Sequence, residues 1–151
     1  MTRDGVGAFT SLGVRALEAC DRADVVVVAV SERPREEVAA EARVLGLDDF
    51  VFDDGFVIAG EEHELPATAT RAEAIAIHAR ARGLPREDCV AVGASLDLAP
   101  AVAAFWLASG AGQDDPVLRI ELARHPNVRV TEASHGPGVY EAVVTTLAER
   151  R

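Results

Sequence analysis

The sequence contains no lysine, and all fifteen of its basic residues are arginines. Chemistry that needs a lysine amine, such as a Schiff base or the lysine of a phosphate-binding P-loop, is therefore excluded. The 25 acidic residues outnumber the arginines and give the chain a formal charge of −10. Because such a composition offers no strongly cationic face, we expect no binding to nucleic acid and none to membrane surfaces.

Cysteines and export signals are scarce as well. Cys20 lies in a helical pattern and Cys89 opens an apolar strand, so both are predicted to be small core residues rather than disulfide or metal ligands. The amino terminus has no signal-peptide pattern, and the longest uncharged stretch, 98–113, is interrupted by proline and glycine. We therefore expect a cytoplasmic protein in a reducing compartment.

Helical and extended patterns alternate along the 151 residues, of which 49% are hydrophobic. This alternation predicts an α/β fold, a three-layer sandwich around a parallel Rossmann-like sheet, in one domain over 1–151. The predicted helices are 10–23, a helix from Pro34 to Gly46, 71–82, 98–104, 116–123 and 139–150. The predicted strands are 24–30, 50–52, 56–58, 88–92, 105–107 and 128–130, the first of them buried on both sides.

Short motifs fix several boundaries within this pattern. Thr70 and Glu73 form a capping box, which predicts the start of a helix at Arg71. Gly46 suits a left-handed helix cap, and the pair at 54–55 predicts a hairpin turn. Residues 61–68 are predicted to be a polar connection. Phe105 and Trp106 are predicted to be core residues, whereas the four histidines, His63, His78, His125 and His135, are predicted to lie on the surface or in loops.

Four stretches together resemble a known family. They are VVVVAVSERP at 25–34, TRAEAIAIHARARGLPREDCVAVGASLDLAP at 70–100, FWLASGA at 105–111 and HPNVRVTEASHGPGVYEAVVTTLAER at 125–150. Their order resembles the core of the haloacid dehalogenase-like (HAD) hydrolases, nearest to the sugar-phosphatase branch with the Cof-type and mannosyl-3-phosphoglycerate phosphatases. The resemblance implies a Rossmann-like sheet and a phosphate site at the carboxyl ends of its strands. A separate cap domain is not expected, because only 59–69 lie where these phosphatases insert one.

The resemblance also shows which catalytic residues have no match. The family attacks phosphate with an aspartate of an Asp-x-Asp-Gly motif on the first strand, and no hydrophobic strand carrying that motif precedes Ser31. In the magnesium loop, Gly93 is kept, but Ala94 stands where an aspartate belongs, and Asp97 comes one residue early. Asp97 is thus a weak metal ligand or a helix cap. No catalytic residue is matched, and Mg²⁺ is expected only if the protein is an active phosphatase.

Part of the family's phosphate site is retained. Ser31 matches the serine or threonine that holds the phosphate, and it equally suits a cap of the following helix. Arg71 stands at the lysine position, where a solvated arginine on a helical turn is the simpler alternative. With Gly93 and Ser95, these residues form the predicted ligand site for a small phosphorylated molecule.

Two functions remain open from the sequence. The first is a degenerate HAD-like protein without phosphatase activity that acts by self-association or by binding a ligand or protein. The second is an active magnesium-dependent phosphatase of a phosphorylated metabolite such as a sugar phosphate. The resemblance places the missing first strand between strands 88–92 and 24–30, and buried strand edges need hydrogen-bond partners. We therefore expect those two strands to pair directly or another segment to fill the gap, which gives a rearranged sheet or, where the segment comes from a second chain, a homodimer.

Overall fold

The computed structural model describes residues 11–93, 96–108, 116–133 and 135–150. In these ranges the α-helices are α1 (Ser11–Arg22), α2 (Arg35–Leu45), α3 (Arg71–Ala81), α4 (Pro116–Arg124) and α5 (His135–Glu149). The strands are β1 (Val28–Val30), β2 (Asp49–Val51), β3 (Gly55–Ile58), β4 (Glu61–Glu64), β5 (Val90–Gly93), β6 (Ala104–Leu107) and β7 (Val128–Val130). Two 3-10 helices, Arg86–Asp88 and Leu96–Ala101, flank β5.

The described strands form two sheets instead of one. The first has the order β1-β2-β3-β4, in which β1 and β2 are parallel and the remaining neighbours are antiparallel. The second has the order β5-β6-β7 and is parallel throughout. The predicted α/β class with parallel strands is confirmed, but the continuous sheet is replaced by two shorter ones.

Helices cover both faces of the first sheet. Successive side chains of β2 point to opposite faces, as in any strand. Phe50 therefore packs in a cluster with Val38 and Ala42 of α2, whereas its neighbour Val51 packs with Ala74 of α3. This alternation places α2 and α3 on opposite sides of the sheet and produces the predicted three layers.

No hydrogen bond joins the two sheets among the described strands, but some side chains pack against the hydrophobic clusters of both. Val30 of β1 and Ile75 of α3 pack against the cluster beneath the first sheet and also against the cluster around Phe105 of β6. Helix α1 packs against α5, and Ala16 on α1 is fully buried. Phe105 and Trp106 are buried, as predicted. The two sheets are thus joined by side-chain packing and by the contact between α1 and α5.

Several boundary signals are confirmed. The Thr70 hydroxyl accepts a hydrogen bond from the Glu73 amide at 3.1 Å, and the Glu73 carboxylate accepts one from the Thr70 amide at 3.1 Å. Gly46 ends α2 in the left-handed conformation with φ +70°. The predicted hairpin joins β2 and β3, and the Phe52 amide donates to the Gly55 carbonyl at 3.0 Å.

Several boundaries differ from prediction, and two of the differences lie in the first sheet. Strand 24–30 shrinks to β1, an edge strand, and Val26, two residues before it, is 45% exposed, so it is not a strand buried on both sides. The polar connection at 61–68 contains strand β4, in which three of four residues are glutamate. Ala59 and Gly60 both have positive φ, 48° and 87°, the geometry of a two-residue hairpin turn. Pairing with β3 therefore overrides the low strand propensity of glutamate.

Both cysteines are free thiols, Cys20 buried and Cys89 partly buried. Burial raises the pKa of both thiols above the ordinary cysteine value, which favours the protonated thiol. Within the described ranges, no helix combines the length and the apolar composition that crossing a bilayer requires.

Candidate functional site

Ser31 lies directly after β1, at the carboxyl end of the strand. Its amide donates to the Val51 carbonyl at 3.0 Å, so the residue continues the pairing with β2. Its hydroxyl accepts hydrogen bonds from the Arg33 amide at 3.1 Å and from Arg33 Nε at 3.2 Å. The alternative in which Ser31 caps the next helix does not hold, because the N-cap is Pro34 and no side chain caps it.

Arg71 connects the ends of the two sheets. It lies on the first turn of α3, and one guanidinium nitrogen donates to the Val30 carbonyl at 3.4 Å. The other terminal nitrogen lies 3.3 Å from Asp97 Oδ2, in the 3-10 helix that follows β5. Only 29% of the Arg71 side chain is exposed, so it is not the solvated arginine of the simpler interpretation. Ser31, Arg71 and Asp97 thus lie around one end of the structure.

Asp97 is engaged by this guanidinium. It is the second residue of its 3-10 helix and does not occupy the cap position. Gly93 ends β5, as the predicted loop requires, while Ala94 and Ser95 lie outside the described residues. In the described part of the chain, no three histidine, cysteine, aspartate or glutamate side chains lie close enough to hold a metal ion.

These donors do not fit a magnesium ion. Mg²⁺ prefers an octahedral set of oxygen ligands that is anchored by carboxylates. Asp97 supplies one carboxylate, and it is already paired with a cation. A second cation at the same carboxylate would lie close to the Arg71 guanidinium and be repelled by it.

A seam separates the two sheets beside this site. Strand β1 is the outer strand of the first sheet, and β5 is the outer strand of the second. The expectation that these strands pair directly is wrong, because no described residue of β1 hydrogen bonds to β5. Val30 and Ile75 pack against clusters on both sides, and Arg71 spans the seam at its carboxyl end.

A buried polar cluster at the other end of β2 was not predicted from the sequence. Asp49 is 1% exposed, and its carboxylate accepts hydrogen bonds from Arg82 at 3.2 Å and from the Ala59 amide at 3.2 Å. His78 Nε2 lies 3.1 Å from Asp49 Oδ2. Arg82 Nε lies at 3.1 Å from the same oxygen, without a hydrogen-bonding angle. One carboxylate thus holds α3 and the β3–β4 turn onto β2.

His78 is 3% exposed, so its predicted surface position is wrong. Burial lowers the pKa of His78 below its ordinary value, and the positive charge of Arg82 and the nearby His63 act in the same direction. The charge of Asp49 opposes this shift without cancelling it. His63 itself stacks on Phe56 at 4.9 Å, and His78 meets the same ring edge-on at 5.6 Å. The low pKa favours the neutral imidazole in this cluster.

Comparison with known proteins rests on the fold. No protein-family model matches this sequence, and no curated protein matches it closely. Two solved structures are similar over nearly the whole chain. A protein assigned to the HAD family of hydrolases from Streptomyces avermitilis MA-4680 has 17% identity and a TM-score of 0.61, covering 94% of this chain and 77% of its own.

The second similar structure comes from Haemophilus influenzae. It is the cobalt-bound form of deoxy-D-mannose-octulosonate 8-phosphate phosphatase, with 15% identity and a TM-score of 0.64. The alignment covers 97% of this chain and 77% of that one. The fold is that of the HAD hydrolases. The fold is thus the one that the sequence resemblance implied, and at 15% and 17% identity the likeness shows the fold alone.

Proposed function

We propose that this protein has a HAD fold without phosphatase activity and that it acts in the cytoplasm by binding a second copy of itself. The ion pair between Arg71 and Asp97 carries the first part of this proposal. Phosphoryl transfer on this fold needs an attacking carboxylate and a cation held by carboxylates. Here Ala94 removes one expected metal ligand, and Arg71 engages the carboxylate that remains.

The surroundings of Arg71 make this pairing hard to exchange for a metal ion. Arg71 Nε is buried and has no hydrogen-bond partner among the described residues. If Asp97 bound a metal ion instead, the terminal nitrogen of Arg71 that now contacts Asp97 would lose its partner as well. With 29% of the Arg71 side chain and 42% of the Asp97 side chain exposed, the pair is only partly desolvated, and losing Asp97 would leave a half-buried guanidinium without its counterion. We therefore propose that no cofactor is used.

Self-association is supported by the seam. Both β1 and β5 have one side that is unpaired within the described sheets. Open strand edges are sites at which a second chain adds its own backbone hydrogen bonds. Two such edges next to each other, together with the net charge of −10, favour a protein partner over a nucleic acid or a membrane. A homodimer is the simplest symmetric assembly of this kind.

A small phosphorylated ligand is a second candidate, favoured by one observation. Two guanidinium groups lie near the end of β1: Arg33 donates to the Ser31 hydroxyl, and Arg71 donates to the Val30 carbonyl. An anion there would occupy the ligand site predicted from the sequence, of which Gly93 ends β5 and Ser95 lies outside the described residues. Arginine suits phosphate because its planar fork donates two parallel hydrogen bonds.

The catalytic part is tested by incubating the purified protein with a generic aryl phosphate and Mg²⁺. We expect no hydrolysis above the rate without protein and none above the rate of an Asp97→Asn variant. Asp97→Asn is the matched control because it keeps the size of the side chain and removes its charge. Magnesium-dependent hydrolysis that Asp97→Asn abolishes would overturn the proposal, as would an acyl-phosphate adduct on any aspartate.

A further inference from the structure

A cleft of about 540 Å³ opens at the amino-terminal end of β1, at the end of the strand opposite to Ser31. Its walls come from α1, from the segment before β1 and from the end of α2. Val14, Val26 and Val44 each contribute an exposed side chain to it, at 40%, 45% and 73%. We call this site the valine cleft. Together the three valine side chains form one apolar patch, which differs from apolar residues that are scattered singly on a surface.

The rim of the valine cleft is acidic. Glu18 and Asp21 line it from α1, and Asp48 lines it from the segment before β2. The buried carboxylate of Asp49 also borders the cleft, where it is compensated by Arg82. The cleft therefore combines an apolar floor with uncompensated negative charge. A partner that fits must present apolar side chains next to basic ones.

Helix α4 presents such a surface on the same chain. Val117 is 69% exposed and Ile120 is 58% exposed, and with Arg124 they lie at the spacing of one helix face. Arg124 pairs with Glu121 of the same helix at 3.4 Å, but exposed ion pairs of this kind are weak, so its charge can still meet a partner. Leu118 points the other way and packs against the cluster around Phe105. Among the described residues of this nine-residue helix, none is buried. Short helices gain most of their stability from packing an apolar face. A partner that covers the outer face of α4 would therefore stabilise this helix.

We propose that α4 of a second copy binds in the valine cleft. In this arrangement Ile120 and Val117 enter between the three valines, and Arg124 meets the acidic rim at Asp48. This contact rests on the self-association proposed above, and it adds a second pair of surfaces to the strand edges at the seam. In the proposed homodimer this contact is made twice about the two-fold axis, because the cleft of each copy receives the helix of the other. Two copies that each carry ten excess negative charges repel one another, so opposite local charges orient their approach.

The apolar part is tested by sedimentation equilibrium of the full chain over a range of concentrations. We expect wild type to associate and the variants Val44→Ser and Ile120→Ser each to raise the dissociation constant about tenfold, the equivalent of about 1.4 kcal/mol. Leu84→Ser is the matched control, since Leu84 is 37% exposed, does not line the valine cleft and is not part of α4. Thermal unfolding of each variant verifies that it is folded.

The charge part is tested by exchanging signs between the two surfaces. Arg124→Glu and Asp48→Arg are each expected to weaken self-association. An equimolar mixture of these two variants is expected to associate more tightly than either alone, because the reversed helix then meets the reversed rim. A merely unfolded variant would not regain binding on mixing.

The outcomes separate this inference from the proposed function. If wild type stays monomeric at every concentration, both the self-association and the contact of α4 with the valine cleft are overturned. If wild type associates but the cleft and helix variants behave like Leu84→Ser, the contact is overturned and self-association through another surface stands. Restored association in the mixture supports the contact directly.

Discussion

His78 Nε2 lies 3.1 Å from Asp49 Oδ2, and both side chains are withdrawn from solvent. The same carboxylate accepts a hydrogen bond from Arg82, and the Ala59 amide donates to it from the β3–β4 turn. A buried carboxylate is stable only when its oxygens are hydrogen bonded and its charge is compensated. Asp49 meets both conditions, and it links three segments that are distant in the sequence.

Replacing Asp49 with alanine should therefore destabilise the folded protein. The Asp49→Ala variant leaves His78 and the Ala59 amide without their acceptor, and we expect it to lower the free energy of unfolding by about 3 kcal/mol. Asp48→Ala changes the neighbouring exposed aspartate and should change stability by less than about 0.5 kcal/mol. Urea unfolding of both variants measures the difference. Equal stabilities would show that the cluster contributes nothing.

The lowered pKa of His78 makes stability depend on pH. In the unfolded chain histidine has a pKa near 6.5, whereas burial lowers the pKa in the folded state. Below pH 6.5 the unfolded state therefore binds more protons, and the free energy of unfolding falls until the pH reaches the folded-state pKa. Above pH 6.5 this contribution is constant and complete.

The matched control for this pH dependence is His78→Gln, which keeps a hydrogen-bond donor near Asp49 and cannot titrate. Urea unfolding at several values between pH 7 and pH 5.5 should show a decline in wild type that is smaller in His78→Gln. Identical slopes in the two proteins would mean that His78 titrates alike in the folded and unfolded states.

The turn between β3 and β4 stores strain at one residue. Ala59 has φ +48°, and a left-handed conformation costs a residue with a β-carbon about 1 kcal/mol. We expect Ala59→Gly to raise the free energy of unfolding by up to about 1 kcal/mol, because glycine adopts this conformation freely. Gly60→Ala, at φ +87°, is the reverse control and should destabilise the protein. A thermal scan that ranks the two variants in the opposite order would refute this.

Local signals in the sequence predicted much of the fold. The capping box at Thr70 and Glu73 and the left-handed cap at Gly46 depend on residues within one helical turn, and both are present. The hairpin between β2 and β3 is local in the same sense. Strand β4 was missed because its glutamates disfavour a strand, and its pairing with β3 provides the stabilisation that the composition does not indicate.

The candidate site was predictable only in part. Ser31 and Arg71 could be placed by resemblance, but the partner of Arg71 depends on how the segment after β5 folds back. His78 and Asp49 are 29 residues apart, and nothing near either residue indicates the other. An aspartate at the start of a strand and a histidine within a helix are both common in exposed positions. Only tertiary packing brings them together.

The seam between β1 and β5 has a consequence for how the molecule opens. Backbone hydrogen bonds tie strands into cooperative units, and here the units end at β1 on one side and at β5 on the other. Among the described residues, the contacts between the units are made by Val30, Ile75 and the Arg71 guanidinium, by α3 against the 3-10 helix Leu96–Ala101, and by α1 against α5. We expect the two units to separate from each other before either one unfolds. The amide protons of the two units should then exchange with solvent at two separate rates.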